Sequence, residues 1–156
     1  MRRKKIGLAL GGGAARGLAH IGALTVLEKE GITIDLIAGT SAGAIIGSLY
    51  AQNKNAAQIK ENIIELSKRR LTQFIDPALP KSGLIKGRKF NDLLASYIGS
   101  DTKFSDLLIP FACTATDINT GEQVVIDRGL VTEAVRASIS LPGIFTVVKR
   151  LSLIHI

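Results

Sequence analysis

The sequence has no tryptophan, one cysteine, one methionine and four prolines, and its remaining aromatics are two Tyr and five Phe. A single cysteine, Cys113, excludes an internal disulfide and fits a reducing compartment. It lies in an apolar run and is expected in the core. So few aromatics leave no stacking platform beside the basic residues, and no nucleic-acid module accompanies them. The net charge of +7 is therefore not read as binding nucleic acid. No apolar run reaches the roughly 18 to 20 residues that a membrane-crossing helix needs. Met1 to Ala15 superficially resembles a secretory leader, but four of the ten residues from Ile6 to Ala15 are glycine, and Arg16 and His20 follow at once. The expected location is cytoplasmic. The charge gathers in Arg2, Arg3, Lys4 and Lys5 and again in Lys68, Arg69 and Arg70. Such clusters read first as a solvated flank that keeps an apolar protein soluble. They also favour anionic partners, so the first leaves room for peripheral contact at the inner membrane face, although four charges make a weak anchor.

What is present is apolar and small. The chain has 156 residues, 46% of them hydrophobic, and a mean hydropathy of +0.28. That length fits one domain able to bury roughly 70% of its unfolded surface. Small and β-branched apolar residues dominate, which suits strands covered on both faces by helices.

Lys5 to Leu10 reads as a short buried strand running into Gly11-Gly12-Gly13. A helix fits Ala15 to Glu30, with Leu18, Ile21, Leu24 and Leu27 on one stripe, ended by Gly31. Ile34 to Ala38 reads as a second strand, and Ala42 to Ala51 as a helix apolar on most sides and therefore central. Strand, helix, strand in so short a span is a βαβ unit with parallel strands. If the two strands are neighbours, the loops after them meet at one sheet edge, where α/β folds place ligands. Asn55 to Lys68 reads as an amphipathic helix carrying Ile59, Ile63, Ile64 and Leu66. Leu71 to Gly87 is irregular, with Pro77, Pro80 and Gly83, and reads equally as a cover or a surface loop. Then come a helix over Arg88 to Ile98, strands over Ile109 to Asp117 and Glu122 to Asp127 with a turn at Asn119-Thr120-Gly121, and a helix over Val131 to Ser138.

Two loops carry chemistry. Gly39-Thr40-Ser41-Ala42-Gly43 is a G-x-S-x-G match between a strand and a helix, the setting a nucleophile elbow requires. The sharp turn strains and exposes the serine, Gly39 and Gly43 leave room for the chain to fold back, and the helix N-terminus favours developing negative charge. Ser41 is the candidate nucleophile. Gly11-Gly12-Gly13-Ala14-Ala15-Arg16-Gly17 fails the dinucleotide fingerprint, because Arg16 stands where a third glycine is needed, and it lacks the Gly-Lys-Ser/Thr of a phosphate loop. It fits an oxyanion hole, with the amides of Gly12, Gly13 and Ala42 as donors. Arg16 is left as a loop-orienting residue, a phosphate contact or a structural ion-pair partner.

The block Gly11 to Gly22 resembles the opening block of bacterial patatin-like phospholipases, and the Gly39–Gly43 elbow follows at that family's spacing. Pro110 to Glu122 and Ala134 to Phe145 are similar to its later blocks. The resemblance covers nearly the whole chain and implies a three-layer α/β/α fold with a mainly parallel central sheet. It also implies hydrolysis of lipid or phospholipid acyl esters by a Ser-Asp dyad, with neither histidine nor metal nor cofactor. Gly11, Arg16, Gly17, Gly39 and Gly43 are then motif supports. Ala14 departs from the family, which often has glycine there.

In that family the base is the Asp of an Asp-Gly-Gly or Asp-Gly-Ala motif following a Pro-x-x-Phe block. Pro142, Phe145 and Val147-Val148 fall in place, but Lys149 to Ile156 contains no such motif. Asp117 and Asp127 belong to earlier blocks, and Asp117 is expected to shape the turn before Gly121. Leu151 to Ile156 reads as translated adapter sequence. The expectation is a domain over residues 1–150, incomplete at its carboxyl end, a non-native tail over 151–156, and poor activity for the chain as written. His20 is expected to pack or hydrogen-bond. His155 stands in α/β-hydrolase triad order after Ser41, against which no His-Gly-Gly-Gly segment exists. The alternatives to a hydrolase are a non-catalytic lipid-binding relative and an acyltransferase. Oligomeric state is not legible.

Overall fold

The structure, a computed structural model, describes residues 3–52, 55–68, 88–140, 148–150 and 153–155. The irregular stretch expected over 71–87 and the Pro142 to Phe145 block lie outside the described residues. The elements in chain order are β1 (Gly7–Leu10), α1 (Ala19–Lys29), β2 (Leu36–Thr40), α2 (Ala42–Ala51), α3 (Ala56–Lys68), α4 (Arg88–Ile98), β3 (Phe111–Thr116), β4 (Gln123–Ile126), α5 (Val131–Ser138), β5 (Val148–Arg150) and β6 (Leu153–His155). Four strands form one sheet in the order β1-β2-β3-β4, and β5 pairs with β6 in a separate antiparallel ribbon. The pairs β1–β2 and β2–β3 are parallel, and β3–β4 is antiparallel. This is the α/β class with a mainly parallel sheet that the sequence leads one to expect.

Strand order 1-2-3 fixes where the helices go. Successive crossovers of the usual right hand, stepping across the sheet in one direction, place their helices on one face. Register puts Leu10, Ile37, Gly39, Phe111, Cys113 and Ala115 on a common face. A Cβ added to Gly47 of α2 would meet Ile37, Phe111 and Leu10 at 3.0 to 3.5 Å, so α2 lies on that face. Seven of the ten α2 residues are buried, which makes it the central helix. α5 packs on β3 and α2, and α3 and α4 pack against α2. Among the described residues the other face is open: Ala9, Leu36, Thr116 and Val125 are exposed, and Ala38, Ala112 and Thr114 are half-buried. The described residues do not form the third layer.

Local structure departs from the sequence reading where tertiary contacts intervene. Residues Ala14–Leu18 form a 3-10 turn, and the α-helix begins only at Ala19. The cause is Gly17, whose added Cβ would stand 2.4 Å from the Ala42 Cβ; the turn is pressed against the start of α2. Leu18, expected on the buried stripe, is consequently 46% exposed, while Ile21 and Leu24 are buried. Ile64 of α3 is likewise exposed, whereas Ile59 is fully buried. Strand β2 runs two residues further than expected, because Gly39 and Thr40 still pair with Cys113 and Thr114. Gly31 adopts φ +67 and closes α1, with its amide donating to the Glu28 carbonyl and the Ile32 amide to that of Leu27.

Candidate active site

The parallel β1–β2 pair carries the glycine loop and the serine turn out of the same sheet edge. Ser41 follows the last residue of β2 and precedes the first of α2, with φ 53 and ψ −118. A side chain rarely adopts that backbone conformation, and holding it costs about 1–3 kcal/mol. Ser41 and Ala14 are the two non-glycine residues with positive φ among those described. The Ser41 carbonyl starts the helix, accepting from the amides of Ala44 and Ile45 at 2.9 and 3.2 Å. Its own amide donates to the Ser138 Oγ at 2.8 Å.

The turn is possible only because its flanking residues are glycines. A Cβ on Gly39 would lie 2.6 Å from the Gly43 carbonyl oxygen, and one on Gly43 would lie 2.0 Å from the Leu10 carbonyl oxygen. Helix α2 thus begins against the end of β1, and the glycine loop is carried past the serine. A Cβ on Gly12 would meet the Ser41 Cβ at 3.4 Å. Gly13 has φ +145 and its carbonyl accepts from the Arg16 amide at 2.9 Å. Among the described residues the amides of Gly11, Gly12 and Gly13 donate to no carbonyl. The Ala42 amide is among the first four of its helix, which have no intrahelical acceptor. Ser41, Gly11, Gly12, Gly13, Gly17, Gly39, Ala42 and Gly43 are therefore brought together; Arg16 is exposed and makes no ion pair among the described residues.

Supporting contacts come from His20, expected from the sequence to pack or hydrogen-bond, and from Thr40, Thr114 and Ser138, whose part the sequence did not reveal. His20 Nε2 lies 2.8 Å from the Gly11 carbonyl oxygen; a carbonyl only accepts, so Nε2 carries the proton and tethers the loop. Thr40 and Thr114 join hydroxyls at 2.7 Å across β2 and β3, next to Ser41. Ser138 stands inside a block that the sequence marks only by family resemblance. The aspartates take other parts. Asp117 is buried and its Oδ1 accepts from the Asn119 amide at 2.8 Å, while the Asp117 carbonyl accepts from Gly121, as expected of a turn-former. Asp127 is exposed near Pro110 and Phe111, toward the amino end of β3. No carboxylate among the described residues hydrogen-bonds Ser41, and no cluster of three or more His, Cys, Asp or Glu among them would hold a metal ion.

Among the described residues the perturbed titratable groups lie elsewhere. The Ile6 amide, donating to Asp35 Oδ2 at 2.7 Å, and then the paired Arg3 guanidinium hold the Asp35 carboxyl below its ordinary range. Burial, and then neighbouring Glu28, push the Tyr50 phenol up. Glu28 also accepts from the Ala56 amide at 2.9 Å, so it ties α1 to the starts of α3 and the end of α2. Arg3 and Asp35 precede β1 and β2, so Arg3, Lys4 and Lys5 sit at the opposite sheet edge from Ser41.

Comparison with known proteins gives the family and the fold. The family described as patatin-like phospholipase matches residues 8–154. Neuropathy target esterase sws of Drosophila persimilis is 37% identical over 141 residues, covering 88% of this chain and 10% of that protein. The Drosophila melanogaster protein of the same name is 36% identical over the same length. The chain spans about a tenth of the length of these relatives. Among solved structures, VipD from Legionella pneumophila superposes with a TM-score of 0.66 at 14% identity, over 98% of this chain and 45% of that one. Full-length ExoU of Pseudomonas aeruginosa, solved with SpcU, superposes with 0.61 at 20% identity, over 90% of this chain and 39% of that one. At these identities the structures establish the shared fold alone. With the family's pattern matched over nearly its whole length, the chain belongs to the patatin-like phospholipase family.

Proposed function

We propose that this domain hydrolyses acyl esters of lipids with Ser41 as nucleophile. The observation that carries the reading is the Ser41 backbone, at φ 53 and ψ −118 between β2 and α2 and facing Gly12. A serine is held at such a strained position when its hydroxyl must stand clear of the turn. Ser41 Oγ attacks the ester carbonyl, and the amides of Gly12, Gly13 and Ala42 stabilise the oxyanion that forms. One such donor is worth about 2.7–4 kcal/mol of barrier. The nucleophile needs a base. The family resemblance assigns that part to an Asp of the Asp-Gly-Gly or Asp-Gly-Ala type, and neither Asp117 nor Asp127 fits it.

The apolar surroundings support a lipid substrate. Ile45 and Leu49 follow Ser41 at one and two turns of α2, about 6 and 12 Å along the axis. With Ile63, Phe90 and Leu94 they line a cavity of about 80 Å³. An acyl chain bound to the nucleophile would find apolar contacts there. Membrane contact, if the substrate is taken from a bilayer, belongs at the carboxyl edge of the sheet, since docking through Arg3, Lys4 and Lys5 would turn Ser41 away from that surface.

The test is a fluorophosphonate probe together with a chromogenic acyl ester. The full protein is expected to label and turn over, and Ser41→Ala to do neither. Labelling that persists in Ser41→Ala would remove Ser41 from the mechanism. Labelling without release of acid to water favours transfer to another acceptor.

A further inference from the structure

The Ser41 amide belongs to neither the β2 ladder nor the α2 helix, and its hydrogen bond goes to a side chain 97 positions away, Ser138 Oγ at 2.8 Å. Ser138 is the last residue of α5 and half-buried. Its place is fixed from two sides. α5 packs on β3 and α2, and the turn that follows it is held by buried Arg136, whose guanidinium bonds Ser140 Oγ while that hydroxyl donates to the Arg136 carbonyl at 2.7 Å.

We propose that Ser138 is a positioning residue for the nucleophile, resting on the reading of Ser41 given above. A serine at φ 53 persists only where its surroundings over-determine it. Gly39 and Gly43 make the sharp turn sterically possible, but they do not hold it. Ser138 supplies the hold: its oxygen accepts the one Ser41 group that would otherwise be orphaned when the turn is made. Without that acceptor the amide turns toward water, φ relaxes to negative values, and Oγ swings away from the Gly12 side of the loop. Ser138 touches no reacting atom; it acts through the Ser41 backbone.

The experiment compares Ser138→Ala, Ser138→Cys and Ser138→Thr in the full protein. Cysteine keeps the size and loses the strong acceptor, while threonine keeps the hydroxyl. Two readouts are taken: exchange of the Ser41 amide proton by NMR, and ester turnover with fluorophosphonate labelling. The Ala and Cys variants are expected to exchange that amide about tenfold faster, the factor one lost hydrogen bond allows. Their kcat is expected to fall about 10- to 100-fold with KM little changed, as for a nucleophile misplaced by about 1 Å. Threonine is expected to restore both. Should the alanine variant not fold, the Cys and Thr pair gives the same comparison. Wild-type exchange in the cysteine variant overturns the latch, whatever the labelling. Faster exchange with undiminished kcat overturns the positioning role. Faster exchange in a protein whose Ser41 never labels upholds the hydrogen bond and sinks the hydrolase reading instead.

Discussion

Gly43→Ala should separate the two halves of the site while adding a single methyl group. The new Cβ would stand 2.0 Å from the Leu10 carbonyl oxygen, 2.5 Å from its carbon and 2.7 Å from the Gly11 oxygen. Carbon and oxygen ordinarily approach to no less than about 3.3 Å, so α2 and the end of β1 must part by more than about 1 Å. All three obstructing atoms are backbone, so no side chain can rotate aside. Overpacking of this kind typically costs about 1–3 kcal/mol, and rigid neighbours place it at the upper end, about 3 kcal/mol or more. For a chain of this length that lowers Tm by about 6 °C or more. The same movement carries Gly12 and Gly13 away from Ser41, and a misplacement of about 1 Å costs about 100-fold in rate. Gly22→Ala is the control: it lies exposed in α1 with nothing within 4 Å of its added Cβ. There alanine should stabilise by about 0.5–1 kcal/mol. Urea unfolding followed by circular dichroism gives the stabilities, and initial rates of fluorophosphonate labelling give the activity. If Gly43→Ala unfolds and labels as the parent does, α2 does not begin against β1 and the glycine loop is not held beside Ser41 by that contact.

Other residues give further expectations. Ala14, at φ 48, holds a left-handed conformation that costs a side chain about 1–2 kcal/mol; Ala14→Gly should raise stability by about 0.5–1 kcal/mol after the greater freedom of the unfolded glycine is discounted, and a drop in the urea midpoint would contradict the assigned turn. Asp35 has its folded-state pKa depressed by the Ile6 amide and Arg3. Its contribution is therefore present above the unfolded value near pH 4 and is lost as pH falls through the folded one. Asp35→Asn should flatten that acid limb in pH-dependent unfolding, and an unchanged limb would show that the contact adds nothing. Ile45→Phe should narrow the apolar cavity and lower kcat/KM for long acyl esters by about 10-fold relative to short ones; equal losses on both would place the acyl chain elsewhere.

Much of the site was legible because its chemistry is local. Gly39, Ser41 and Gly43 fall within five residues; the need for glycine at 39 arises from the turn itself, whereas at 43 it comes from the backbone of Leu10 and Gly11. The Ala42–Ala51 and Arg88–Ile98 helices and the Asp117 turn were readable for the same reason: their apolar spacing and turn residues sit inside the element they specify. The start of α1 was not, since a continuous helical pattern from Ala15 gives no sign that Gly17 must fit under Ala42. Leu18 kept its helical spacing and still emerged exposed.

The sequence by itself determined a strand ending in a glycine loop, a strand ending in a strained serine, and the family to which both belong. These are matters of backbone freedom and spacing along a short stretch of chain. The tertiary structure alone decided that the described helices gather on one face of the sheet, because that depends on strand order. It alone decided that Arg3 and Ser41 occupy opposite edges, because parallel strands carry their two ends apart. It also brought Ser138 to the Ser41 amide across 97 residues. Such a contact leaves no periodicity or local propensity to read, since its partners meet only when the sheet and α5 have packed.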